Sequence, residues 1–252
     1  MDVTNRFVLE FARRFPGAAI LDFGCGAGEL VSAARAAGLD MRGCDVYYAG
    51  SNTREEAAAR GLLGTYVIES AEGSIPFADA SFDLVVNNQV MEHVADLDRT
   101  LAEIHRVLRP GGTALSIFPS RDVWREGHIG IPFSHWFARD SRARFYYTWL
   151  LRSLGAGTWK EQAPTTRRWA VDKLAWIDKY TRYRARREIF QTYGKYFDNE
   201  FCEPDYIRFR LRDRPWRAPL ARLLDLPLVP AVARAIFRKL AFLVIVSRRR
   251  DA

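Results

Sequence analysis

Residues 19–29 read AILDFGCGAGE. A short apolar run leads into an acid, then into glycines at 24, 26 and 28, and the stretch closes on Glu29. An apolar run that gives way to alternating glycines is the pattern of a strand turning tightly into a helix, where backbone N–H groups approach a ligand closely. A dinucleotide site would put a third glycine at position 29, facing a pyrophosphate. Position 29 is a glutamate, and Asp22 precedes the loop. Two acids repel a pyrophosphate and favour a cation, so the loop is expected to serve a positively charged ligand.

Working outward, the first half of the chain alternates. Helical spacing over 5–15 precedes the strand at 19–23, and a helix over 29–37 is stopped by Gly38. A second strand is expected at 41–46, a helix at 53–60 stopped by Gly61, and a short third strand at 65–68. Residues 82–87 form a continuous apolar run of the kind buried on both faces. An amphipathic helix over 96–108 carries Leu97, Leu101, Ile104 and Leu108 on one side, and Pro110-Gly111-Gly112 separates it from a fifth strand at 113–118. This alternation implies an α/β fold with a parallel, doubly wound sheet covered by helices on both faces.

The second half changes character. A helix is expected over 141–154, capped by Ser141 or Asp140 and ended by Gly155. A long helix over 167–193 carries Trp169, Trp176, Tyr183 and Phe190 at a spacing of seven, a packing stripe. Pro204 and Pro215 each suit a helix first turn. Residues 240–246 (LAFLVIV) read as a strand, so 120–239 is expected to be a mostly helical insertion after strand five whose chain then returns to the sheet. The division is therefore a core over 1–120, a lid or substrate region over 121–239, and a terminal strand with a basic tail over 240–252.

Charge follows the same boundary. Residues 1–120 hold 10 Arg against 16 Asp and Glu, a balance of −6, whereas 121–252 hold 28 Lys and Arg against 14 acids, a balance of +14. All seven tryptophans also lie after residue 120. Such a shift separates an acidic, nucleotide-type core from a basic aromatic segment. Three scattered cysteines argue against a disulfide framework, and no Cys/His cluster suggests zinc. The N-terminal residues lack the apolar stretch of a signal peptide, and 226–246 are too interrupted by Pro, Arg and Lys to span a bilayer. A cytoplasmic location is expected.

Asp45 ends the second strand, seventeen residues beyond Gly28, where a doubly wound fold grips ribose hydroxyls with one carboxylate. The ligand is then a ribonucleoside that carries positive charge and no phosphate, which S-adenosylmethionine (SAM) satisfies. At this point the chain resembles the class I SAM-dependent methyltransferases, particularly the group that includes the ubiquinone- and menaquinone-biosynthesis enzymes. The resemblance rests on ILDFGCGAGEL (20–30), GCDV (43–46), IPFADASFDLVVNNQVMEHVAD (75–96) and EIHRVLRPGGTALSIFPS (103–120), and covers roughly residues 15–120. It implies a Rossmann-like, seven-stranded sheet with SAM across the C-terminal strand ends. By matching position, Asp22, Gly24, Gly26 and Gly28 would surround the methionine part and Asp45 the ribose. Glu72 or its neighbour Ala71 would face adenine, and Asn88 and Gln89 would border the cofactor. Many relatives carry Asp just before the IPF segment, where this chain reads ESAEGSIPF.

Methyl transfer is an in-line displacement that asks the protein chiefly to align acceptor and methyl and to keep water out. A hydroxyl acceptor also needs a base. His128 and His135, in REGHIGIPFSHWF (125–137) after strand five, and His93 in MEHV are the candidates, each weighed against a packing role. His105 is expected on the surface. Some relatives bind a metal through Glu-x-x-Glu-His; here the first acid is Gln89, so no metal is expected. O-methylation of a small-molecule, lipid-linked or glycan-linked acceptor is the first expectation. A nucleic-acid methyltransferase would explain the basic aromatic segment. Against it, residues 87–90 read NNQV rather than the Asn/Asp-Pro-Pro-aromatic signature of amino-methylating enzymes. A non-catalytic SAM-binding protein at a membrane surface is the third alternative, because arginines interleave with Leu, Val and Phe near the C-terminus as in interfacial helices.

Overall fold

A computed structural model describes residues 1–48 and 51–250. Its first half runs α1 (Val3–Ala12), β1 (Ala19–Phe23), α2 (Glu29–Ala36), β2 (Asp40–Asp45), α3 (Thr53–Ala59), β3 (Val67–Glu69), β4 (Phe82–Asn88), α4 (Leu97–Val107) and β5 (Leu108–Phe118). The second half adds α5 (Arg142–Ser153), α6 (Thr166–Tyr180), α7 (Arg186–Tyr196), β6 (Phe197–Phe201), α8 (Glu203–Arg212), α9 (Val229–Leu240) and β7 (Leu243–Arg249). The helix starts are chemically marked. Asp2, Asp96, Ser141 and Thr165 each accept from the backbone N–H three residues on, removing one unpaired donor from the first turn of α1, α4, α5 and α6.

The seven strands lie in the order β3-β2-β1-β4-β5-β7-β6. β1 through β5 pair in parallel, and β7 runs antiparallel to both β5 and β6. Ile20, Leu21, Leu84, Val85 and Leu115 are wholly buried, as central strands covered on both faces require. One helical layer packs α1 and α2 against this sheet; on the other face α4 and α7 contribute Leu101, Ile104, Ile189 and Tyr193.

Three sequence expectations are corrected. First, β5 begins at Leu108, so Pro110-Gly111-Gly112 does not separate helix from strand; it sits in an irregular register between Phe82 and Leu84, with Gly111 at φ +71°. Second, the long helix over 167–193 is two helices, α6 and α7. No Pro or Gly interrupts residues 181–185, and the break is tertiary. Thr181 caps α6 on Ile177, the Arg182 N–H donates to the Glu92 carbonyl (2.6 Å), and the Arg184 guanidinium binds the carbonyls of Met91, Val94 and Ala95. The core thus offers these residues better partners than another helical turn. Third, the inserted region is shorter than 121–239. Residues 186–201 supply a core helix and a sheet strand, and the returning strand is 243–249 rather than 240–246. What remains between β5 and α7 has its own small core of Ile129, Ile131, Trp169, Ala170, Leu174 and Ile177.

Candidate functional site

The strand order changes direction between β1 and β4, so the loops leaving these strands diverge and open a crevice at their C-terminal ends. A cavity of about 340 Å³ lies there. Gly24, Asp45, Ala71, Glu72, Gln89 and His93 all line it, joined by Tyr48, Gly73 and Arg99. Gly24 turns the chain at φ +78°, and a Cβ there would come within 2.4 Å of the Val90 side chain, so only glycine lets the two loops close together. Asp45 organises the same corner. Its Oδ2 accepts from the Gly26 N–H (2.7 Å) and its Oδ1 from the Tyr47 N–H (3.2 Å), which fixes the carboxylate at the cavity wall.

Four expected contacts lie outside this lining. Asp22 is buried in β1, and burial together with the charge of Asp45 pushes its pKa up to about 7. It is a support beneath the loop rather than a fixed anion facing the crevice. Gly26 is held by Asp45, and Gly28 is the N-cap of α2 at φ +71°. Asn88 donates its side-chain amide to Asn5 (2.8 Å). Glu29, read as attracting a cation, is paired with the Met1 amino group at 2.7 Å. The acids that line the cavity are therefore Asp45, Glu72 and Asp96.

Of the three candidate histidines, only His93 lines this cavity. Its Nδ1–H donates to the Tyr180 carbonyl (2.7 Å), leaving Nε2 as the acceptor, and burial lowers its pKa so that it stays neutral near pH 7. His128 stands beside it, ring centroids 5.2 Å apart and edge to face. Its Nδ1 lies 2.7 Å from Glu126 Oε1, and the Tyr183 hydroxyl donates to the same oxygen (2.6 Å). The Ile129 N–H holds the other Glu126 oxygen at 2.6 Å. Burial opposes a charge on His128, but the hydrogen bond and charge of Glu126, with Glu92 adding, override it and raise the pKa above its ordinary value. Glu126 is itself buried, yet these donors hold its carboxyl below the usual range.

His128 opens on a second cavity, about 470 Å³, whose walls include Trp159 and Trp176. An aromatic series joins the two spaces. Tyr48 meets Tyr180 at 5.4 Å, Tyr180 meets Trp176 at 5.4 Å, and Trp176 meets His128 at 5.2 Å. His135 belongs to neither cavity. Its Nε2 is bonded to the Arg121 carbonyl (3.1 Å), its ring packs on Tyr183, and it lines a separate polar hollow with Arg144 and Asp178. The structure places this candidate base apart from the two cavities above. His105 lies on α4 and bonds the Arg250 carbonyl.

Glu126 and Tyr183 are the residues that sequence reasoning missed. Glu126 stands two positions before His128, a spacing that could have drawn attention, but Tyr183 reaches it only because the chain breaks after α6. The expectation of no metal rested on Gln89. The fold nonetheless gathers one donor atom each from Glu92, His93 and His128 within 4.8 Å of one another, with Glu92 buried and its carboxyl pushed up to about 7 by burial.

Residues 21–116 match a family described as a methyltransferase domain. The chain is 36% identical over 102 residues to the ubiquinone biosynthesis O-methyltransferase of Mesorhizobium japonicum, covering 40% of this chain and 41% of that protein. It is 32% identical over 156 residues to the demethylmenaquinone methyltransferase of Symbiobacterium thermophilum, covering 55% and 62%. These alignments span between about two fifths and three fifths of the relatives' own length. Among solved structures, a SAM-dependent methyltransferase from Mesorhizobium loti superposes with a TM-score of 0.53 over 96% of both chains at 20% identity, a likeness of fold.

Proposed function

We propose, from the match of residues 21–116 to the methyltransferase-domain family, that the chain transfers the methyl group of S-adenosylmethionine to a hydroxyl of a small-molecule, lipid-linked or glycan-linked acceptor. The observation that carries this reading is the pair His93–His128, set between a cavity lined by Gly24, Asp45 and Glu72 and a second cavity walled by tryptophan. The lining suits the cofactor chemically. Each Asp45 oxygen already accepts one backbone N–H and keeps acceptor capacity for a ribose hydroxyl. Glu72 or Ala71 is placed for adenine, and three acids against Arg99 favour a ligand of positive charge. When bound, the sulfonium supplies an activated methyl and a neutral leaving group.

The residues of this chain do the rest. The acceptor lies in the aromatic cavity with its hydroxyl toward the histidine pair, and Trp159 and Trp176 supply aromatic walls for it. His128 Nε2 takes the hydroxyl proton as oxygen bonds to the methyl carbon. Glu126, held by Tyr183 and Ile129, fixes the tautomer and stabilises the imidazolium that forms. His93 positions the pair from the cofactor side. The likeness to a ubiquinone biosynthesis O-methyltransferase supports oxygen as the acceptor atom.

Two measurements test this. Asp45→Ala weakens SAM binding by about 1.5–3 kcal/mol, roughly 10- to 150-fold in calorimetry, the scale of hydrogen bonds to a charged group. NAD binds neither protein; an unchanged SAM affinity means that the ribose is held elsewhere. The second measurement separates a base from an ion at Glu92, His93 and His128. Under the base reading, EDTA leaves turnover unchanged; activity lost to EDTA and restored by Zn²⁺ or Mn²⁺ would assign the three donors to a metal instead.

A further inference from the structure

Helix α9 is built inside out. Val232, Ile236 and Leu240 recur at a spacing of four and are 57%, 54% and 59% exposed, forming an apolar stripe that faces solvent, and Leu228, the residue before the helix, is 80% exposed. Its inward side carries arginines. Arg238 Nε lies 2.6 Å from the buried carboxylate of Glu203 and Arg234 approaches it at 3.6 Å, while Phe237 packs on Tyr206. A helix of a water-soluble surface shows the reverse arrangement. The preceding helical stretch, Pro215–Asp225, buries Ala221 and Leu224 but adds Trp216, Leu220 and Leu223 to the exposed apolar surface.

The surroundings of this apolar surface are cationic. Of the six Arg and Lys in residues 214–240, Arg234 and Arg238 turn inward to Glu203, which leaves Arg214, Arg217, Arg222 and Lys239 against a single acid of the segment, Asp225, itself paired with Arg208 at 2.8 Å. Arg217 lies 4.3 Å over the Trp216 ring. Arg214, Arg222 and Lys239 form no ion pair with a described residue. We propose that residues 214–240 dock the protein, in the plane of the interface, onto a bilayer surface containing anionic lipid. The aliphatic stripe enters the acyl boundary and the basic rim meets the headgroups. No helix of the described residues is long and apolar enough to cross a membrane, so the contact is peripheral.

The charge pattern selects this occupant over the others. A two-fold contact with a second copy would set one arginine-rich rim against its equivalent, which is repulsive. A nucleic acid would satisfy the arginines but would leave Leu228, Val232, Ile236 and Leu240 in water. An anionic bilayer satisfies both at once. The docking surface does not depend on the methyl-transfer reading, since none of its residues lines either cavity described above.

Flotation with vesicles of phosphatidylcholine alone, or with phosphatidylglycerol added, tests the proposal on the full chain. The unaltered protein floats with the anionic vesicles, and Leu228→Ser/Ile236→Ser lowers its partitioning by about tenfold or more. Both side chains are exposed, so circular dichroism and melting temperature stay unchanged and a folding defect is distinguishable. Arg222→Ser/Lys239→Ser weakens binding to the anionic vesicles only, and added salt does the same. The proposal is overturned by an unaltered protein that stays with the soluble fraction, or by a double serine variant that floats equally well. It is also overturned if the serine pair instead converts a dimer to a monomer in light scattering, or abolishes RNA binding, without any effect on flotation.

Discussion

His128→Ala lowers turnover by about 10²–10³-fold on a hydroxyl acceptor, the range for loss of a general base, while SAM affinity is nearly unchanged because His128 lies outside the cavity proposed for the cofactor. The pH profile gives the sharper readout. A base acts when deprotonated, and Glu126 holds the His128 pKa above its ordinary value, so the acidic limb of kcat lies above that value. Glu126→Gln keeps the shape but removes the charge; the imidazolium loses its support and the limb moves to lower pH. His135→Ala, a residue outside both cavities, leaves the limb in place. If His128→Ala keeps full turnover and His93→Ala does not, the base is on the cofactor side. If both keep it, the acceptor arrives already ionised and the enzyme works by positioning alone. The same pKa has a stability consequence. A raised histidine pKa stabilises the fold below pH of about 6.5, and that contribution is lost as pH rises through the folded value.

Trp169→Ala costs about 3–5 kcal/mol of stability, the range for deleting a large aromatic side chain from a core. Trp169 has no exposed surface, and its indole N–H donates to the carbonyls of Thr158 and Trp159 at 3.0 and 3.1 Å. Thr158 in turn donates its hydroxyl to the His128 carbonyl, so the indole supports the loop that carries the candidate base. Because the cluster around Trp169 is distinct from the two clusters of the sheet, the loss is expected to concentrate in the insertion. Amide exchange should accelerate over residues 129–177 and stay slow in β1 and β4. Uniform acceleration through the sheet would show that the insertion and core unfold as one unit. Trp169→Phe retains most of the packing, loses the donor, and falls between the two.

The sheet was legible because its signals are local. Ala19–Phe23 and Phe82–Asn88 are short apolar runs, Gly38 and Gly61 follow helices, and Asp96 caps α4 through its own side chain; each depends on residues a few positions apart. The resemblance to the methyltransferases implied Gly24, Asp45, Ala71, Glu72 and Gln89 for the crevice, and each closely follows or ends a strand of that sheet and lines the cavity.

What failed to be legible is long-range. Nothing near residues 181–185 marks a helix end; the break exists because Arg182 and Arg184 find carbonyls some ninety residues away. Asp22 and Glu29 have the right charge beside the right loop, but whether a carboxylate faces a ligand or is buried or paired depends on what packs against it. The three histidines shared one chemistry in the sequence. Their difference came only from tertiary partners: Glu126 for His128, the Tyr180 carbonyl for His93, the Arg121 carbonyl for His135. Spacing along the chain determined the scaffold, because backbone pattern is a short-range property. Burial and hydrogen-bond partners across the fold decided the protonation and role of each ionisable group, because desolvation and Coulomb interactions act through space.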